Sequence, residues 1–218
     1  MKYSMMNSKA NTSYRWLFWL LALVGFTADQ ASKYGVFAWL YDEQRLEGSV
    51  EVIPGAFEIV AKYTDKREPG ESPLSFLRTL SANHLPYVNQ GALFGTKLFF
   101  LPASANVVFG IVSVLAAVGI IFWSTRPGTA RDRHLCFALG LILGGTLGNL
   151  YDRIVFSGVR DFLWWHKGVD WPVFNIADCC LVCGAGLLLL EAFFATTEPV
   201  EKHVEVAAAS NANSVGGL

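Results

Sequence analysis

Four long apolar runs divide the chain, separated by one long polar stretch and two short ones. The first starts at Trp16, passes through L-F-W-L-L-A-L-V-G-F-T-A and continues across Asp29 and Lys33 into Y-G-V-F-A-W-L-Y. The second covers Ala103 to Ser124, the third Leu135 to about Phe156, and the fourth Val173 to Ala195. Each is long enough to cross the hydrocarbon core of a bilayer as a helix. Residues 15–40 could be misread as a cleaved signal peptide, but Phe26-Thr27-Ala28 is a poor cleavage site and the run continues beyond it. They read as a retained transmembrane helix. The polar stretch, residues 42–88, carries Pro54, Pro69, Pro73 and Pro86. Within it, Ser49 to Tyr63 alternates with period two and is rich in β-branched residues, so strands are predicted there. Lys66 to Pro73 reads as a loop, and Ser75 to Leu80 as a short amphipathic helix on the membrane. The pattern predicts an α-helical integral membrane protein: four transmembrane helices with a small extracytoplasmic β-rich region.

Composition sharpens this picture. The chain is 53% hydrophobic and 16% charged, with mean hydropathy +0.37. A soluble domain carries about a quarter charged residues, so the class is membrane protein. A net charge of −1 argues against nucleic acid as a partner. Lys2, Lys9, Arg15 and the arginines of R-P-G-T-A-R-D-R-H (Arg126 to His134) place the N-terminus and this loop in the cytoplasm, and the fourth run, leading back inward, puts the C-terminus there too. The β-rich loop, residues 42–102, and the region around Asp161 then lie on the opposite face. The expected organisation is a cytoplasmic tail at 1–14, one membrane domain at 15–197, and a disordered cytoplasmic tail at 198–218. Cys136, Cys179, Cys180 and Cys183 all fall in apolar segments, so no structural disulfide is expected.

Polar residues at the ends of the third and fourth runs carry the candidate chemistry. Gly140, Gly144 and Gly148 form a small-residue face for close helix contact, which leads into Asn149, Asp152 and Arg153 on one helix face. G-V-R-D-F (Gly158 to Phe162) brings Asp161, and F-N-I-A-D (Phe174 to Asp178) brings Asn175 and Asp178. Ionisable residues in membrane segments are costly, and a functional site is the default reading. Two carboxylates close together share one proton: the charged member takes a proton from water while the protonated one polarises a carbonyl. Asp161 and Asp178 are the proposed acid/base pair for peptide hydrolysis, with Asp152 a rival member. Asp29 and Lys33 share a helix face and can pair, which a simple interfacial salt bridge also explains. V-N-Q-G-A-L-F-G (Val88 to Gly95) offers Asn89 as donor and acceptor and Gly91 for close backbone approach, although an ordinary turn would look the same. No zinc-binding His-Glu-x-x-His and no Gly-x-Ser-x-Gly occurs, and C-C-L-V-C (Cys179 to Cys183) reads as apolar filler. No metal or cofactor is expected. A proton-coupled carrier and a non-catalytic scaffold are the rival classes; the lack of a repeat with broken helices argues against the carrier.

Five of these motifs together resemble the lipoprotein signal peptidases (signal peptidase II), over roughly residues 16–195. They are D-Q-A-S-K (Asp29 to Lys33), V-N-Q-G-A-L-F-G, G-G-T-L-G-N-L-Y-D-R (Gly144 to Arg153), V-R-D-F (Val159 to Phe162) and F-N-I-A-D. The resemblance implies Asp161 and Asp178 as the catalytic dyad, which favours Asp161 over Asp152. Asp152 and Arg153 would orient the site or contact substrate, and Asn89, Asn149 and Asn175 would hold the substrate backbone or position the dyad. Gly91 belongs to the same set. Asp29 and Lys33 would be structural or substrate-facing. The implied activity removes the signal peptide from diacylglyceryl-modified prolipoproteins, cutting before the lipidated cysteine. The implied enzyme is a globomycin-sensitive monomer of the bacterial inner membrane that meets membrane lipid. From Phe57 to Asn89 the chain is longer than the family's compact sheet, so about 64–85 reads as an insertion.

Overall fold

A computed structural model of the chain describes residues 12–64, 84–91 and 105–195. The amphipathic helix expected at Ser75 to Leu80, most of the insertion and of both tails, and residues 92–102 lie outside the described residues.

Helix α1 spans Arg15–Trp39. The strands predicted between Ser49 and Tyr63 are β1 (Glu47–Ile53) and β2 (Phe57–Lys62). Helix α2 is Ala105–Thr125, and the short α3 is Pro127–Arg131. Helix α4 is Arg133–Val155, strand β3 is Leu163–Trp165, and α5 is Ile176–Ala195. Among the described residues, three helices are long and apolar enough to cross a membrane: α2, α4 and α5. Helix α1 has the length but not the uniform apolarity, because Asp29, Gln30 and Lys33 sit in its second half. Their side chains are turned inward and buried.

Helix α4 is the central element and packs against α1, α2 and α5. Its glycine stripe is what lets α1 come close. A Cβ on Gly140 would lie 2.7 Å from the Phe18 carbonyl oxygen, and one on Gly144 would lie 2.9 Å from the Ala22 carbonyl oxygen. Gly145, off the stripe, meets the Ala177 carbonyl of α5 in the same way. Apolar attraction between helices is weak in lipid, so close packing of small residues has to hold them together. Phe18, Ala22, Cys136, Leu139 and Leu143 fill the seam, while α2 presents Val107, Ile111, Leu115, Val118 and Phe122 outward.

The sheet runs β1-β2-β3, antiparallel throughout. Trp164 and Trp165 of β3 pair with Glu58 and Phe57 of β2. Phe162, just before β3, packs with Phe37, Ala61 and Tyr63, and the Tyr63 hydroxyl donates to the Phe37 carbonyl. This small core fastens the sheet to the end of α1.

The Asp132 carboxylate caps α4, accepting from the backbone N–H of His134 (2.8 Å) and Leu135 (3.1 Å). Replacing an N-cap of this kind costs about 1 kcal/mol. Asp132→Ala should therefore lower the thermal unfolding midpoint in detergent while leaving turnover unchanged, which a melting curve and an activity assay on the same sample would check.

Candidate active site

Two backbone connections bring the polar motifs together. Phe162 and Leu163 both donate to the Phe174 carbonyl (3.0 and 2.9 Å), and Phe174 donates back to Leu163 (2.9 Å). Asp161 and Asn175, the residues flanking this tie, are thereby held side by side. Asn89 and Val159 exchange backbone hydrogen bonds of 2.8 and 2.9 Å, which brings in the second motif. A Cβ on Gly158 would lie 2.6 Å from a Val88 methyl, so that approach needs glycine.

The side chains then form one chain of hydrogen bonds. Asn175 Nδ2 donates to Asp161 Oδ1 (2.6 Å) and to Asn149 Oδ1 (3.2 Å). Asn149 Nδ2 donates to Asp178 Oδ1 (2.8 Å). Asp178 Oδ2 accepts the Asn175 backbone N–H (3.2 Å), and Asn175 Oδ1 accepts the Asp178 N–H (3.0 Å). That reciprocal pair is a capping box at the start of α5, with Asn175 as cap and Asp178 three residues on. Asp161 Oδ2 takes its donor from Asn89 Nδ2 (3.1 Å). Gly91, at φ +101°, donates its N–H to Asn89 Oδ1 (2.9 Å), which turns the amide's donor end toward Asp161. Every oxygen of the two carboxylates thus has a donor.

Asp161 and Asp178 are partly exposed, whereas Asn149 and Asn175 beneath them are buried. Burial pushes the Asp161 carboxyl up to about 7, and the nearby Asp178 charge pushes the same way. The amides of Asn89 and Asn175 pull it back down.

A second polar layer lies beneath the first. Asp29, Lys33, Asp152 and Arg160 are each 0% exposed. Lys33 Nζ lies 2.8 Å from Asp29 Oδ2 and 3.3 Å from Asp152 Oδ2, and it donates to Asn149 Oδ1 at 3.2 Å. Arg160 grips Asp152 through Nη2 (2.8 Å) and Nε (3.2 Å). Its guanidinium is stacked between the rings of Tyr34 and Phe156, 4.3 and 3.9 Å from their centroids. Asp29, Lys33 and Asp152, for which the sequence leaves both orienting and substrate-facing roles open, all lie fully buried in this layer. Arg153 is only partly buried, donates to the Asn149 carbonyl (3.2 Å) and covers the Phe109 ring. Sequence reasoning did not single out Arg160 or Gln30, although both fall inside quoted motifs. The available signal was a cation directly preceding Asp161 in a stretch otherwise apolar.

Among the described residues, no group of three or more His, Cys, Asp and Glu is arranged to hold a metal. The four cysteines are free thiols.

The same architecture occurs in solved structures of a bacterial membrane enzyme obtained by the in meso method. One, at 2.3 Å resolution, superposes with TM-score 0.60 at 23% identity, covering 82% of this chain and 88% of that one. Another, at 1.9 Å, superposes with TM-score 0.57 at 22% identity, covering 79% and 90%. These likenesses speak to the fold. The sequence profile of Signal peptidase (SPase) II matches residues 21–194. The chain belongs to the signal peptidase II family. It is 37% identical over 199 residues to the lipoprotein signal peptidase of Rhodopirellula baltica, covering 84% of this chain and 74% of that protein. It is 34% identical over 205 residues to the lipoprotein signal peptidase of Alteromonas mediterranea, covering 93% of each. As a signal peptidase II family member with apolar membrane-length helices, it is a membrane-embedded peptidase. The matched span contains all five motifs and both polar layers.

Proposed function

We propose that this signal peptidase II is an aspartic endopeptidase acting through Asp161 and Asp178. Its substrates are diacylglyceryl-modified prolipoproteins, cut just before the lipidated cysteine. The observation that carries the reading is the single hydrogen-bonded chain from Asn89 through Asp161, Asn175 and Asn149 to Asp178. It holds two carboxylates at one partly exposed place with a shared set of donors. The pair carries one proton, and the surroundings of Asp161 favour holding it there. Ionised Asp178 takes a proton from water as the water oxygen attacks the scissile carbonyl carbon. Protonated Asp161 gives its proton to the carbonyl oxygen. The tetrahedral intermediate collapses as its hydroxyl proton returns to Asp161, and Asp178 passes its proton to the leaving amine. Arg153, beside the pair, contacts the substrate backbone.

Helix α1 makes a fourth crossing, with its charges neutralised internally rather than exposed to lipid. Both termini face the cytoplasm of a bacterial inner membrane. The site lies at the outer face, and the β-rich region covers it. The organisation is one membrane domain at 15–197 between two cytoplasmic tails, with an insertion at about 64–85. Signal helix and lipid enter sideways from the bilayer, and the enzyme works as a monomer without a cofactor.

The test is a pH–rate profile on a lipidated substrate peptide. A coupled pair predicts a bell. Its alkaline limb should fall near 7, where Asp161 ionises. Asn89→Ala removes a donor that favours the charged form of Asp161, so that limb should move to higher pH. Chelators should have no effect. A flat profile between pH 5 and 9 would refute the pair. Stability follows the same group. Its folded value lies above the ordinary 3.8, so the folded state holds this proton more tightly. The contribution is complete below about 3.8 and is lost as pH rises to about 7.

A further inference from the structure

Each candidate catalytic aspartate follows a residue whose backbone N–H is held by a buried carboxylate. Ala177, before Asp178, donates to Asp29 Oδ1 at 2.9 Å. Arg160, before Asp161, donates to Asp152 Oδ2 at 2.9 Å. The two anchoring carboxylates are joined to each other by Lys33 Nζ and by Gln30 Nε2, which donates to Asp29 Oδ2 (2.9 Å) and Asp152 Oδ1 (3.3 Å). Arg160 closes the circuit, since its Nη2 also donates to Gln30 Oε1 at 2.9 Å. Two anions and two cations make the quartet neutral, and its members come from α1, α4 and the link before β3.

We propose that Arg160 is a positioning residue that, with Asp29, Lys33 and Asp152, sets the gap between Asp161 and Asp178. This rests on the dyad reading above. A link between α4 and β3 would ordinarily be the softest part of the site. Here its peptide N–H and guanidinium both grip Asp152, and two rings clamp the guanidinium plane. Arg160 is buried while Asp161 is partly exposed, so fixing one residue aims the other. The Ala177 N–H is one of the unpaired donors of the first turn of α5, so Asp29 fixes the other carboxylate's backbone in the same way. The gap between the carboxylates is then set by a rigid, buried circuit rather than by the carboxylates themselves, which repel when both are ionised.

A misplacement of about 1 Å can cost about 10²-fold in turnover. Arg160→Lys keeps the charge but loses the two-pronged grip and the flat stack. Arg160→Gln, and the neutral pair Asp152→Asn with Arg160→Gln, remove one charge and two. All three, with Asp161→Asn and Asp178→Asn, would be assayed for kcat, KM, pH profile and melting midpoint on a lipidated peptide. Arg160→Lys and Arg160→Gln should lower kcat about 10²-fold with KM within about threefold. The two limbs of the pH profile should draw together, because carboxylates held farther apart couple less. The neutral pair should recover melting midpoint relative to Arg160→Gln without recovering kcat. Wild-type kcat and limb positions in Arg160→Lys and Arg160→Gln would overturn the proposal, as would recovery of kcat in the neutral pair. Failure of all three variants to fold would also overturn it, by making the circuit a requirement of the fold rather than of the dyad. Activity in Asp161→Asn or Asp178→Asn would instead refute the dyad reading itself.

Discussion

Asp178→Asn should abolish cleavage of lipidated prolipoprotein, by about 10³-fold or more, while protein level and melting midpoint stay close to wild type. The size follows from removing a proton-transfer group, which contributes about 10² to 10⁴ in rate, together with half of a pair that acts as a unit. The unchanged stability follows from geometry. Asparagine has the same shape, and its carbonyl oxygen can accept from the Asn175 backbone N–H as Asp178 Oδ2 does. What it cannot do at once is accept from Asn149 Nδ2 as Asp178 Oδ1 does, so one neutral hydrogen bond is disturbed. Asp161→Asn should be equally inactive. The comparison separates the readings the sequence leaves open: a scaffold would misassemble, and a carrier would lose flux with normal lipoprotein maturation. The readout is uncleaved, lipidated precursor on a gel, against folded enzyme recovered from the membrane. Cleavage at wild-type rate in either variant would end the aspartic assignment.

Removing Asp178 should also release Asp161. The neighbouring charge helps raise it to about 7. In Asp178→Asn the Asp161 carboxyl should therefore titrate lower, which carboxyl-labelled NMR would resolve even though the variant is inactive.

The helices were legible because their signal is summed over many residues. Hydropathy alone places α2, α4 and α5 within a few residues, and period-two alternation places β1 and β2. Strand β3 was hidden because three residues, Leu163 to Trp165, carry no period, and their indole rings equally suit a membrane interface. Helix α3 was hidden for the same reason of length. At the site, the identity of the polar residues was legible but their depth was not. The spacing of Asp29 and Lys33 predicts their pairing, yet nothing local says that Asp152 completes the circuit from another helix or that Gln30 bridges the two carboxylates. Arg160 is the sharpest case. An arginine beside an aspartate in a short link reads as solvated. Only the fold shows it buried against Asp152, with Asp161 left at the partly exposed layer.

Gly148→Ala should be strongly damaging, because here packing and buried charge meet. A Cβ at this position would lie 2.5 Å from Asp29 Oδ2 and 3.2 Å from the Ala177 Cβ. That carboxylate oxygen is not free to swing away, since it takes Lys33 Nζ and Gln30 Nε2 at 2.8 and 2.9 Å. Overpacking alone costs about 1 to 3 kcal/mol. Displacing one member of a buried, hydrogen-bonded ion pair adds to this, because breaking such a pair outright costs about 3 to 5 kcal/mol. Gly25 is the control on the facing helix. A Cβ there meets Cys180 Sγ at 3.4 Å and Gly144 Cα at 3.5 Å, which is ordinary contact, so Gly25→Ala should fold and turn over near wild-type level. Gly148→Ala should instead lose most folded protein at growth temperature. Any fraction that folds should show reduced kcat, because Asp29 Oδ1 also holds the Ala177 N–H next to Asp178. Expression, melting midpoint and turnover of the two variants side by side decide it. Equal behaviour of Gly25→Ala and Gly148→Ala would mean that α1 is free to shift away from α4. The buried circuit could not then be rigid enough to set the spacing of the two aspartates.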